Sequence, residues 1–261
     1  VTLELMQYLL GAASGALVGF SLGLVGGGGS ILAVPLLVYL VGVPSPHLAI
    51  GTSALAVAAN ALAGLWSHAR RGNVKWRCAG VYAAAGVAGA FAGSTLGKAI
   101  DGQRLLALFA LLMLGVAVLM VVRRGQEGNP QVRLSRENAP KLVAFGAGTG
   151  LLSGFFGIGG GFLVVPGLIA ATGMPILNAV GSSLVAVSAF GVTTAANYAR
   201  SGWVDVALAA AFVLGGLAGS RAGAAAAGRL AARRGALNVV FGVVIALVAV
   251  FVLYRSRGAL L

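Results

Sequence analysis

Five glycines stand among strongly apolar neighbours in GLVGGGGSILAVP, Gly23 to Pro35. A membrane helix tolerates a glycine or two, but four in succession break it. A related stretch, GFFGIGGGFLVVP, stands at Gly154 to Pro166. Any reading of the break must therefore work twice.

The residues around both stretches are those of a membrane interior. The 261-residue chain is 59% hydrophobic and 9% charged, against about 25% charged residues in a soluble domain. Several apolar runs reach or approach the ~20 residues that cross a bilayer. They are rich in Ala, Leu, Val and Gly without the alternation of a barrel, so the spans read as helices. The net charge of +13 lies between these runs, as in RRGNVKWR (Arg70 to Arg77) and RLAARRG (Arg229 to Gly235). That is loop charge of the kind that sets orientation in a membrane, and it argues against nucleic acid. The five carboxylates, Glu4, Asp101, Glu127, Glu137 and Asp205, all fall at or beyond the ends of apolar runs. None is placed for a proton relay or a cation site in mid-membrane. Cys78 is the single cysteine, so there is no internal disulfide. The N-terminal VTLELMQYLLGAASG lacks a basic n-region and reads as the start of the first helix.

The chain is doubled. Gly15, Gly19, Gly26, Gly28, Gly29, Pro35 and Pro44 recur 131 residues later as Gly146, Gly150, Gly157, Gly159, Gly160, Pro166 and Pro175. After a one-residue deletion the offset is 130, and AIGTSALAV matches AVGSSLVAV. This aligns Thr52 and Ser53 with Ser182 and Ser183, and Gly86, Gly89 and Gly93 with Gly216, Gly219 and Gly223. The glycine triplets read as packing surfaces. Each half is expected to hold a helix, a glycine break, a shorter helix and three spanning helices. The first set is placed at about 3–24, 29–43, 46–69, 76–97 and 103–122, and the second at about 141–156, 160–173, 177–199, 203–225 and 236–255. The fold class is an all-α polytopic membrane protein, with one repeat over 1–122, a linker at 123–140 and a second repeat over 141–261.

Each pair of segments flanking a break is too long for one crossing and must turn back, so each half crosses an odd number of times. The repeats are then inverted. Charge agrees: the loop holding Arg70, Arg71, Lys75 and Arg77 is basic, whereas its counterpart sets Arg200 near Asp205. With the basic loops inside, the linker is cytoplasmic, and only Arg255 and Arg257 fall on the wrong side.

Inverted repeats with interrupted helices are a design of secondary transporters. Here the physics suits an anion, because glycines let N–H groups converge and the helix after each break presents free N–H groups and its positive dipole end. Candidate residues at the first break are Gly26, Gly28, Gly29 and Ser30; at the second they are Gly157, Gly159, Gly160 and Gly161. No Gly-Lys-Ser/Thr follows either run, which excludes a P-loop. The hydroxyls of Thr52, Ser53, Ser182 and Ser183 either donate to an oxyanion or bond back to their own helices. Asn60 lies mid-helix where the repeat has Phe190, and it either faces the pathway or bridges helices. Arg221 either attracts substrate or snorkels to the headgroups. His47 and His68 lie near helix ends. These residues offer no nucleophile–base pair or metal cluster in the membrane, so no enzyme chemistry, cofactor or metal is expected. The expected partners are a small anion and the bilayer, with a homo-oligomer left open. An anion channel built on the same breaks is the alternative to a carrier.

Two copies of G-x-x-G-x-G-G-[GS]-x-x-x-x-P, each followed by a Pro-containing turn and A-[IV]-G-[TS]-S, resemble the TauE/SafE family of membrane transporters. The resemblance covers all but the linker and the last helix. It implies export of sulfite, sulfonates or related sulfur-containing anions across a bacterial cytoplasmic membrane. Carried over residue by residue, it places the site at the two glycine breaks and the Thr/Ser pairs.

Overall fold

The structure, a computed structural model, describes residues 4–25, 29–122, 129, 132–229 and 234–256. Among these residues it is all helical. The helices are α1 (Leu5–Val25), α2 (Gly29–Leu40), α3 (Pro46–Arg70), α4 (Trp76–Lys98), α5 (Gly102–Val122), α6 (Ala139–Phe156), α7 (Gly161–Thr172), α8 (Ile176–Ala199), α9 (Val206–Arg229) and α10 (Arg234–Arg255). Segments of α1, α3, α4, α8 and α9 are long and apolar enough to cross a bilayer. The short α2 and α7 follow the two glycine breaks.

Local chemistry sets several helix starts. Asp101 caps α5 by accepting the N–H groups of Gln103 and Arg104 at 3.0 and 3.2 Å, and Asp205 caps α9 by accepting that of Leu208 at 2.8 Å. Both carboxylates thus satisfy orphan helix donors. Proline opens α3, where its missing N–H costs nothing. α2 is irregular: a 3₁₀ turn over Gly29–Leu32, one α turn over Ala33–Pro35 and a π turn over Leu36–Leu40. Its counterpart α7 is a regular α-helix with Pro166 inside it.

Packing exchanges the first helices between halves. α1 packs on α9 and α6 packs on α4, while α3 packs on α8 and α5 on α10. On the α1–α9 seam Gly15 abuts Phe212, Gly19 abuts Gly216, and Gly219 and Gly223 abut Ala16 and Phe20. The numbers rise together, so these helices run parallel. The α4–α6 seam repeats the arrangement, with Gly146 on Tyr82, Gly150 on Gly86 and Gly154 on Ala90. A β-carbon at any of these glycines would strike the facing backbone, which is how small residues let membrane helices approach. α3 and α8 run antiparallel, since Gly191 abuts Ala54 and Ala58 while Gly64 faces Leu184.

α2 folds back along α1. Gly29 lies against Val18, Ser21 and Leu22 of α1. After α2 ends, the Gln7 amide near the start of α1 donates to the Val41 carbonyl at 3.2 Å. The chain therefore re-enters the bundle after the first break, and α7 lies likewise against α6 after the second, with Gly160 on Ser153 and Gly167 near Thr149.

Candidate functional site

The second break lies in the middle of the bundle. After α6 ends at Phe156, Gly157, Gly159 and Gly160 take φ values of +66°, +64° and +70°, a region that a β-carbon disfavours. Three left-handed residues in four reverse the chain, so α7 begins inside the protein. Gly159 rests on Val57 of α3 and Val187 of α8, each the twelfth residue of a helix of 25 or 24 residues. That is close to mid-depth.

The start of α7 leaves donors unused. Leu163 and Val164 both donate to the Gly160 carbonyl, at 2.8 and 2.9 Å. Gly161 and Phe162, the first two residues of α7, have no backbone acceptor among the described residues, and both are buried. Buried N–H groups are nearly always paired, and at a helix N-terminus they point the positive dipole end at whatever lies beyond. Ser153, in the last turn of α6, is fully buried, and its hydroxyl has no partner among the described residues. That hydroxyl lies 2.9 Å from where a β-carbon on Gly160 would stand. The Ser153 hydroxyl therefore lies beside Gly160, the residue that immediately precedes the two backbone donors.

The first break is described only from Gly29 onward. Gly26 and Gly28 lie outside the described residues. Gly29 opens the 3₁₀ turn, and the next residue, Ser30, is 1% exposed, with an unpartnered hydroxyl among the described residues. The Gly29–Leu32 turn packs against α7, so Ser30 is carried on an element in contact with the helix that follows the second break.

The four hydroxyls of the Thr/Ser pairs are engaged with backbone. Thr52 accepts the Asp205 N–H at 2.9 Å, and its counterpart Ser182 accepts the Lys75 N–H at 2.8 Å. Ser53 shares its proton between the carbonyls of Ile50 (2.9 Å) and Gly157 (3.1 Å), and Ser183 donates to Val180 at 2.8 Å. Thr52 and Ser182 thus anchor the loops before α9 and α4, while Ser53 steadies the second break itself. Each accepting hydroxyl keeps a proton of its own to donate.

Other candidates lie elsewhere. His47 directs Nε2 to the carbonyls of Gly97 and Ile100, with its ring 4.7 Å from that of Trp203. Arg221 is exposed on α9. Gly89 and Gly93 pack against Ala147, Leu151 and Phe155. Among the described residues no three His, Cys, Asp or Glu side chains converge as metal ligands. A cavity of about 450 Å³ opens between the α2–α3 and α8–α9 loops, lined by Pro44, Ser45, Trp203 and Asp205 among others. No residue of either break lines it, and the described break residues are buried.

Ser153 was hidden from repeat matching because its counterpart, Leu22, is apolar. The available signal was its place one turn before the glycine run.

Comparison with known proteins agrees with this architecture. The family described as "Sulfite exporter TauE/SafE" matches residues 11–252. A probable membrane transporter protein of Xylella fastidiosa (strain 9a5c) is 50% identical over 261 residues, covering 99% of both chains. The probable membrane transporter protein YdhB of Bacillus subtilis is 30% identical over 206 residues, covering 78% of this chain and 84% of its own. One from Haemophilus influenzae is 32% identical over 196 residues, 72% of each chain. No solved structure matches.

Proposed function

Because the chain belongs to the TauE/SafE family of membrane transporters, we propose that it carries a small sulfur-containing anion, such as sulfite or an organosulfonate, held at the second glycine break. The observation that carries this reading is a set of donors in buried residues with no acceptor among the described residues: the N–H groups of Gly161 and Phe162 and the hydroxyl of Ser153. Ser30, with an unpartnered hydroxyl among the described residues, lies on the turn that packs against α7. A tetrahedral or pyramidal oxyanion presents several acceptor oxygens and suits such a set. Among the described residues, the carboxylates of Asp101 and Asp205 serve as helix caps at the starts of α5 and α9.

Transport proceeds by alternating access of two inverted halves. In support, the α1–α9 and α4–α6 seams run parallel and the α3–α8 pair antiparallel, as expected of two inverted halves. The binding site then lies where the repeats meet, as in other inverted-repeat transporters. The family description, a sulfite exporter, supports export across a bacterial cytoplasmic membrane, in which the basic loops face inside. Burial of the break residues favours a carrier over an open channel.

The test is sulfite and methanesulfonate flux in proteoliposomes of the purified chain. Saturable flux at carrier rates, with exchange of internal against external anion, supports the proposal. Unsaturable flux at channel rates, or none with any sulfur oxyanion, overturns it.

A further inference from the structure

Asn60 of α3 and Phe190 of α8 occupy equivalent places in the two halves, 130 residues apart. Each faces a glycine notch that is likewise equivalent. The Phe190 ring fills the notch at Gly86, where a β-carbon would collide with it, and lies over Tyr82 with centroids 6.5 Å apart. Asn60 faces the notch at Gly216, where a β-carbon would meet its amide. The Phe190 side chain is fully buried and apolar. Asn60 has both Oδ1 and Nδ2 buried with no hydrogen-bond partner among the described residues.

The contrast calls for a physical reason. An unpaired buried amide is destabilising, and the twin site shows that an aromatic ring suits this type of notch. Among the described residues the amide packs against Gly216 of α9 but makes no hydrogen bond that would bridge α3 to α9. Its location supplies a reason. Val57, three residues earlier on the same helix, touches Gly159 of the second break. Gly19, which abuts Gly216, lies on α1 between Val18 and Leu22, the residues against Gly29 at the first break. Asn60 therefore lies near mid-depth between the two breaks, on one half only.

We propose that Asn60 is a specificity-determining residue of the transport pathway, whose Nδ2 donates to the bound oxyanion and makes the two halves chemically unequal. The inference rests on the anion-carrier reading above. An amide adds two donors with no charge, so it adds to the binding of an oxyanion without holding it as a lysine or arginine would. A halide, which lacks separate acceptor oxygens, gains less from the same group.

The experiment titrates sulfite, methanesulfonate and chloride against the purified chain by thermal stabilisation, with Asn60→Leu, Asn60→Ala and Ser153→Ala in parallel. Asn60→Leu is expected to unfold at the same or a higher temperature without anion, because an unpaired amide is removed. Its apparent affinity for sulfite and methanesulfonate is expected to fall about tenfold, with a smaller change for chloride. A purely structural residue would move the unfolding temperature and leave affinity alone. If Asn60→Leu does not fold, Asn60→Ala is read by the same criterion. Folded variants that bind both oxyanions within twofold of wild type, while Ser153→Ala loses affinity, overturn this inference and leave the carrier site standing. If no variant changes affinity, or wild type responds to neither oxyanion, both fall together.

Discussion

Ser182 Oγ accepts the backbone N–H of Lys75 at 2.8 Å, tying the first turns of α8 to the loop before α4 in the other half. In the matching place Thr52 accepts the Asp205 N–H at 2.9 Å and ties α3 to α9. Gly51 and Gly181, one residue before each hydroxyl, abut the backbones of Trp203 and Asn73. The two halves are thus clasped twice by the same device.

Removing either clasp is expected to act on stability and not on the anion. Thr52→Ala and Ser182→Ala should each cost about 1 kcal/mol, with costs that roughly sum in the double variant. Denaturant unfolding measures the cost. Sulfite titration of the folded variants should give the wild-type affinity.

The glycine seams predict a sharp contrast within α6. A β-carbon at Gly150 would run into the Gly86 backbone, whereas one at Gly148 meets nothing within 4 Å. Gly150→Ala should destabilise the protein by about 1–3 kcal/mol or prevent folding. Gly148→Ala should be neutral or slightly stabilising. Unfolding temperatures of the two variants decide it.

A polar knot joins α4 to α8. Lys98 Nζ donates to the Asn197 carbonyl and Oδ1 at 3.1 and 2.8 Å, and to Ser201 at 3.2 Å. Asn197 Nδ2 in turn donates to Ser94 and Thr95 at 2.7 and 3.0 Å. Asn197→Ala leaves several of these groups short of a partner and should cost about 2 kcal/mol. Asn197→Asp, which keeps an acceptor for Lys98, should recover part of that loss in the same unfolding assay.

The helices were legible because apolar runs, glycines and charged loops mark their limits: the run expected at 76–97 is Trp76–Lys98, and that at 177–199 is Ile176–Ala199. The start of α9 was set three residues early, at 203 against the observed Val206, because Asp205 was weighed as a loop charge when it is the helix cap. The second glycine break was legible from its repeat. The role of Thr52 was not, since its partner Asp205 is 153 residues away and nothing local distinguishes a clasp from a ligand donor. Ser153 escaped for the opposite reason: its interest depends on its contact with Gly160, and its counterpart Leu22 carries no polar group to draw attention to the position.

The most direct test of the central claim is the sulfite dissociation constant of Ser153→Ala, measured by calorimetry beside wild type. Ser153 carries a buried hydroxyl against Gly160 with no partner among the described residues, so its removal should leave the unfolding temperature unchanged or raised. If the anion sits at the start of α7, the dissociation constant should rise about tenfold. An unchanged dissociation constant in the folded variant would contradict the account and place the anion elsewhere.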